Sequence, residues 1–317
     1  MVTRPVGFVL AAALVMAAAP AAAQGLPPYL AVNPTVTSRS GVYFQPYVER
    51  NRPWEFRILT DYASAIEYSF RPNASLLLDA ELLRVDATVI RNVGPGFIGA
   101  SAGFNGAYDG FLDGFLDWYH DVTGLRVAAR EERPRNEFAY ALKLPNGDSL
   151  DRAPSGGFLG DVRLLGGVRL GRRLQTTVAV TLPTGPEGYG RRVASVASLT
   201  TFRAELDHRW RTEWGLGFGY TPSEGPLADF QRNTFVGANA GFRYRFWGKQ
   251  AAFVNLFYQS AGYRDTGLRA FDKRELTLDY GFLLKARRGP EWFLGMTEDL
   301  EPRGPALDLS FRIGARW

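Results

Sequence analysis

From Ala306 to Trp317 the chain alternates between apolar and polar side chains and stops on an aromatic residue. A side-chain period of two marks a β-strand whose faces meet different surroundings. Reading upstream, the same alternation recurs at 291–297, 275–287, 250–260, 233–246 and 213–221. It continues at 194–209, 174–182, 160–171, 96–104, 76–91 and 54–64, so the pattern predicts twelve strands. Short links at 92–95, 172–173, 210–212, 247–249 and 288–290 alternate with longer ones at 65–75, 105–159, 183–193, 222–232, 261–274 and 299–305. Strict alternation of short turns and long loops is the signature of an up-and-down transmembrane barrel. The expected fold class is therefore all-β: a closed antiparallel transmembrane β-barrel over residues 54–317. A soluble sandwich has no reason to sort its loops by length.

The two faces of each strand differ as a membrane demands. Outward positions include Leu276, Leu278, Tyr280, Phe282 and Leu284, or Trp214, Leu216, Phe218 and Tyr220. Lipid leaves no partner for free backbone polar groups, so only a closed sheet carries such strands across. Trp54, Trp214, Tyr220, Trp247, Tyr258, Trp292 and Trp317 fall near strand ends, where an aromatic girdle sits. The opposite parity predicts a lumen lined by Arg163, Arg169, Arg203, Glu205, Asp207, Arg243, Arg245, Asp279, Asp308 and Arg312. Glu55, Arg57, Asp61, Asp161, Glu275, Lys285 and Arg316 join them. The signs are nearly matched, so these charges are expected to pair in a confined, weakly polar space. Two segments break the rule. In 76–91 the apolar parity switches between Leu82 and Leu83, which fits a β-bulge or a misplaced boundary. In 250–260 Phe253 and Phe257 oppose Val254, Leu256 and Tyr258, placing aromatic rings on the lumen side.

The ends and the composition narrow the setting. Arg4, the apolar run from Val6 to Ala19 and the small residues Ala21 to Ala23 read as a cleaved Sec-type signal peptide over 1–23. Residues 24–53 lack long periodicity and read as a periplasmic segment or a lumen plug. No later stretch reaches ~18 uninterrupted apolar residues, and the chain has no cysteine for a lipid anchor or a disulfide. The 35 glycines and 14% aromatic content suit many short strands and tight turns. The formal charge of +5 is mild and gives no reason to expect a nucleic-acid partner. Expected partners are outer-membrane lipid and lipopolysaccharide, with the barrel assembly machinery reading the strand that ends at Trp317. The expected localisation is the outer membrane of a Gram-negative cell.

The link 105–159 is too long for a structureless connection. Phe111, Leu112, Phe115, Leu116 and Tyr119 recur at helical spacing, with Trp118 beside them, while Asp113, Asp117 and Asp121 lie on another face. The simplest expectation is a short amphipathic helix capping or entering the barrel mouth. Glu137 to Leu144 alternates weakly and turns at Pro145-Asn-Gly-Asp148, which predicts a small hairpin. The run Gly110 to Leu125 (GFLDGFLDWYHDVTGL), then Arg130 to Tyr140, then Gly156 to Arg163 resembles the DUF3187 family. That resemblance implies a bacterial barrel-like protein and supplies no activity, site or cofactor.

Candidate chemistry is thin. His120 and His208 are the only histidines and lie on opposite rims of the expected barrel. Asp113, Asp117, His120 and Asp121 could hold a divalent cation at i, i+3 and i+4 spacing, though an ordinary solvated helix face explains them as well. His120 with Asp117 or Asp121 is the single base–orienter pair available to a lipid hydrolase, and no nucleophile motif accompanies it. No cofactor is expected. The leading expectation is a non-enzymatic channel or envelope component with a loop-capped polar lumen, its solute unknown. The alternative is a lipid-processing hydrolase using His120, with a surface interaction module acting through 105–159 as a third class.

Overall fold

The computed structural model describes residues 47–50, 52–124, 134–150, 155–186, 193–285, 289–301 and 309–317. The side chains of His120 and Thr123 fall outside that description, as do the expected signal peptide and Asp308. In chain order the elements are β1 (Trp54–Phe70), β2 (Ser75–Val93), β3 (Gly96–Tyr108), α1 (Asp113–Thr123), β4 (Ala139–Lys143), β5 (Ser149–Leu150) and β6 (Gly156–Leu159). Then follow β7 (Val162–Leu170), β8 (Leu174–Leu182), β9 (Ser195–Glu205), β10 (Trp210–Tyr220), β11 (Thr234–Trp247) and β12 (Gln250–Gln259). A single-turn α2 (Arg269–Asp272) precedes β13 (Glu275–Lys285), β14 (Glu291–Asp299) and β15 (Leu309–Arg316).

Twelve of these strands form one antiparallel ring in the order β1-β2-β3-β7-β8-β9-β10-β11-β12-β13-β14-β15. The ring closes where Arg57 to Ser64 of β1 pair with Arg316 to Leu309 of β15. Trp317 N–H donates to the Phe56 carbonyl at 2.9 Å, extending that seam to the last residue. Closure leaves no free edge, which is what a sheet needs where no water can satisfy its backbone.

The alternation decides which way each side chain points. Trp214, Leu216, Phe218 and Tyr220 are exposed, while Glu213, Gly215, Gly217 and Gly219 between them are buried. Buried positions on one strand meet buried positions on strands that are not its neighbours: Arg243 of β11 lies 3.9 Å from Glu291 of β14. Such contacts can only cross the interior. The exposed class is thus the outer wall, an apolar belt of Val, Leu, Ile and Phe. Its short-turn rim carries Trp54, Trp210, Trp247, Trp292 and Trp317. Such a belt is costly in water at ~25 cal/mol per Å² and favourable against acyl chains. No helix of the described residues is long and apolar enough to cross a membrane.

The short turns obey local chemistry. Gly171 and Gly248 adopt φ +74° and +54°, a conformation disfavoured for side chains with a Cβ. The expected turn at 210–212 lies elsewhere, because β9 stops at Glu205 and β10 begins at Trp210. Asp207 makes that turn by accepting the Arg209 and Trp210 N–H groups at 2.6 and 2.8 Å. The expected bulge near Leu82 is also corrected. β1 and β2 pair without a register shift from Trp54↔Arg91 to Phe70↔Ser75. Leu82 points inward and Leu83 outward; what changes along β2 is the filling of the interior, from charges beside Arg84 to hydrocarbon above Leu82.

The hairpin expected at 137–148 is β4 and β5, and β4 extends the sheet by pairing Ala139 to Lys143 with Asp79 to Ser75 of β2. Leu142 and Leu144 turn into a buried cluster with Leu76, Leu78 and Leu82. Leu227 and Phe230 from the β10–β11 loop, and Tyr263, Leu268 and Phe271 from the β12–β13 loop, complete it. This apolar mass narrows the loop end of the barrel.

Candidate functional site

The interior nearest the short turns is polar, and a piece of chain lies in it. Val48 is fully buried against Ile90, Phe97, Leu165 and Ala179, all inward positions of β2, β3, β7 and β8. The wall grips the backbone of this segment through side chains. Glu213 Oε1 accepts the Tyr47 N–H at 3.2 Å and Gln175 Oε1 accepts the Val48 N–H at 2.8 Å. Arg169 Nε donates to the Val48 carbonyl at 2.9 Å. Asn92 Nδ2 donates to the carbonyls of Glu49 and Arg52 at 2.9 and 2.5 Å. Arg203 stacks 3.9 Å over the Tyr47 ring while pairing with Glu49 at 2.6 Å. Asn92, Arg169, Gln175, Arg203 and Glu213 all sit close to short turns, so the segment occupies that end.

Deeper in the ring the charges meet in a network. Arg312 Nε donates to Asp61 at 3.0 Å, and its Nη1 lies 2.8 Å from Asp279. Asp279 also accepts from Asn255 Nδ2 at 3.0 Å and Thr297 Oγ1 at 3.3 Å. Back at the short-turn level, Arg316 pairs with Glu291 at 2.6 Å and Arg211 with Glu205 at 2.5 Å. Arg57 pairs with Glu55, and Arg84 with Asp86. Ions withdrawn from water survive only when matched this way. Phe257 packs on Leu199 and Phe235, and Phe253 on Leu283 and Phe293, so both rings fill the interior.

Of the residues expected in the lumen, Arg163, Arg169, Arg203, Glu205, Arg243, Arg245, Asp279 and Arg312 occupy inward positions. Asp207 is exposed in the short turn described above, since the strand ends two residues before it. Asp308 lies outside the described residues. Tyr47, Val48 and Glu49 carry no periodic signal, and an isolated apolar residue in a polar stretch does not announce that it is swallowed by a barrel.

The long loop holds a surprise of place. Helix α1 forms, but on the outer wall, not in the mouth. Leu112 and Leu116 are buried with Leu309 and pack on Tyr62, Met296 and Phe311. Those strand residues share parity with Trp54, Trp292 and Trp317, the lipid-facing class. Phe111 stacks on Tyr62 with centroids 5.3 Å apart, and Phe115 meets Phe311 edge-on at 5.5 Å. Tyr119 and Tyr280 hydroxyls donate to Glu298 at 2.6 and 3.0 Å. Glu81 accepts from the Tyr62 hydroxyl at 2.6 Å and from the Leu112 N–H. Local periodicity specified a helix with an apolar stripe; it could not specify which of two apolar surfaces that stripe would meet.

The acidic face of α1 is engaged by the returning chain. Asp113 accepts the Asn136 N–H at 2.7 Å, and Asp117 pairs with Arg135 at 2.7 Å. Asp121 is exposed. Among the described residues no three metal-ligating side chains gather. The His120 side chain lies outside the described residues, and so do the pairs expected of it with Asp117 and Asp121.

The sequence from residue 45 to residue 317 matches the model of a family described as Protein of unknown function (DUF3187). The chain belongs to DUF3187. No curated protein matches this DUF3187 chain in sequence. Solved structures similar in shape include the COG4313 outer membrane channel from Pseudomonas putida F1, at 12% identity and TM-score 0.49, covering 86% of this chain and 100% of that one. The Pseudomonas putida toluene transporter TodX is similar at 10% identity and TM-score 0.43, with 91% and 97% covered. The translocator domain of autotransporter NalP from Neisseria meningitidis is similar at 9% identity and TM-score 0.45, with 84% and 88% covered. At such values the barrel assignment rests on this chain's own ring of pairings.

Proposed function

We propose that this DUF3187 protein is a non-enzymatic outer-membrane channel, closed at rest by residues 47–50 and opened when that segment withdraws. Residues 1–23 would direct export and 24–46 would tether the segment in the periplasm, with the strand ending at Trp317 recognised during barrel assembly. The observation that carries the reading is the way Val48 is held. Among the described residues every grip on it comes from wall side chains and no strand pairing involves it, so it can leave without opening the sheet. Withdrawal would uncover Arg169, Arg203, Gln175 and Glu213, a mixed-charge polar vestibule suited to small polar or zwitterionic solutes. No single sign of charge dominates there, so strong ion selection is not expected. Beyond it the Arg312 layer and the apolar mouth form a second constriction.

Planar-bilayer recordings test this with the mature chain (24–317) and a variant lacking 24–50. The intact chain should be nearly silent, and the shortened one should show discrete openings. Silence in the shortened chain, and in one that also lacks the β4–β5 hairpin, removes the channel reading.

A further inference from the structure

The covalent chain does not explain why Glu298 is tolerated. It follows Trp292, Leu294 and Met296 on the outward face of β14, and Trp292 marks the short-turn girdle. At ~3.4 Å per residue, six residues are about 20 Å of strand. With a strand tilt of ~40°, that is about 15 Å of height, well inside an apolar belt ~25 Å tall. A bare carboxylate facing acyl chains at that depth is unfavourable. Leu309 of β15 pairs with Glu298, and Phe311 pairs with Met296 one step nearer the short turns.

Helix α1 resolves the conflict. Tyr119 brings a hydroxyl to Glu298, while Leu112 and Leu116 cover Leu309 beside it. The helix runs from Glu81 on β2 across β1 and β15 to Glu298 on β14, and so crosses the seam that closes the ring. Because its buried side rests on wall residues inside the belt, the flank beside that side is also at belt depth. This flank carries Phe115, Trp118 and Val122 of α1, with Phe111 just before it, and Phe111 and Phe115 reach down to Tyr62 and Phe311 of the wall. Phe111, Trp118 and Val122 are 70%, 58% and 67% exposed. This stripe continues the apolar surface of Leu294 and Ile313 below it. Asp121 and Gly114 lie off the stripe and are exposed too.

We propose that α1 is a lipid-embedded strap: its outer stripe contacts acyl chains of the loop-side leaflet, and its inner face shields outward carboxylates across the β1–β15 seam. Trp118 anchors the strap at the boundary between acyl chains and headgroups. The proposal needs only the barrel's residence in a bilayer and stands whether or not the interior conducts.

The chain has no cysteine, so single nitroxide labels report cleanly. Trp118→Cys, Val122→Cys and Asp121→Cys are labelled in the full mature chain, reconstituted in phosphatidylethanolamine–phosphatidylglycerol vesicles. Ile313→Cys on the belt and Lys249→Cys in a short turn serve as references. Collision ratios for oxygen over a nickel chelate should match Ile313 at 118 and 122, and fall towards Lys249 at 121. Ratios at 118 and 122 equal to that of Lys249 would put the helix in water. Exclusion of both reagents would put it inside protein. Either result overturns the strap.

Discussion

The two ends of the barrel interior are filled by opposite chemistry. Near the short turns the filling is charged and hydrogen-bonded, wrapped around the backbone of Tyr47 to Arg50. At the loop end it is hydrocarbon, with Leu76, Leu142, Leu144, Leu268 and Phe271 almost fully buried. An apolar cluster holds by area and packing, and nothing in it needs a particular partner. A polar filling holds by pairing, and removing one partner exposes the rest. The loop end is therefore built as a fixed cap that narrows the mouth, while the turn end is built from contacts that can be exchanged for water or solute.

That contrast is open to attack at several points. Arg312→Met should be the most damaging change, because it leaves Asp61 and Asp279 facing each other in the interior. A loss of about 3–5 kcal/mol is expected from breaking a buried pair, read as a lower urea midpoint for the barrel in vesicles. Adding Asp61→Asn and Asp279→Asn to the same chain should restore much of it. Leu142→Ala should cost less, about 2–3 kcal/mol, at the low end for a buried Leu because the cap can open locally. Its readout is faster proteolysis of the β4–β5 hairpin with the barrel midpoint nearly unchanged; a collapse of the barrel itself would show that cap and ring are one unit. Arg169→Ala removes the donor to the Val48 carbonyl, a charge-assisted bond worth about 1.5–3 kcal/mol. Open probability should rise at least tenfold, with some loss of stability because the same guanidinium also donates to the Pro95 and Gly96 carbonyls at 3.0 and 3.2 Å.

The smallest effect belongs to Asp207. The Arg209 and Trp210 N–H groups hold its carboxyl below the ordinary aspartate range. A lowered pKa means its contribution is present above the ordinary value and disappears as pH falls through the depressed one. The stability curves of wild type and Asp207→Ala should therefore differ slightly at neutral pH and merge in strong acid. A gap that widened on acidification would contradict the turn geometry.

The ring itself was legible because a barrel writes its environment into every second residue. The Leu174 to Leu182 strand falls within the bounds its alternation gives, and the inward rings of Phe253 and Phe257 are visible as a broken pattern. Legibility failed wherever one kind of surface could be met in two places. Leu82 and Leu83 look like a slipped register, since alternation alone assumes that inside means polar. The Phe111–Leu116 stripe fits a mouth or a wall equally well. The Glu298 carboxylate, sitting on a lipid-facing parity, hints in the sequence that something must cover that wall. The Tyr47 to Glu49 segment leaves no pattern, because three residues are too few to show a period.

The central claim is that residues 47–50 close the interior and can leave it. Cysteines at Val48 and Ile90, two fully buried neighbours in one cluster, can be joined by a disulfide or a short cross-linker in the Arg169→Ala background. The account predicts a silent bilayer while the link is intact and discrete openings once a reductant cuts it. Equal conductance before and after reduction would contradict it.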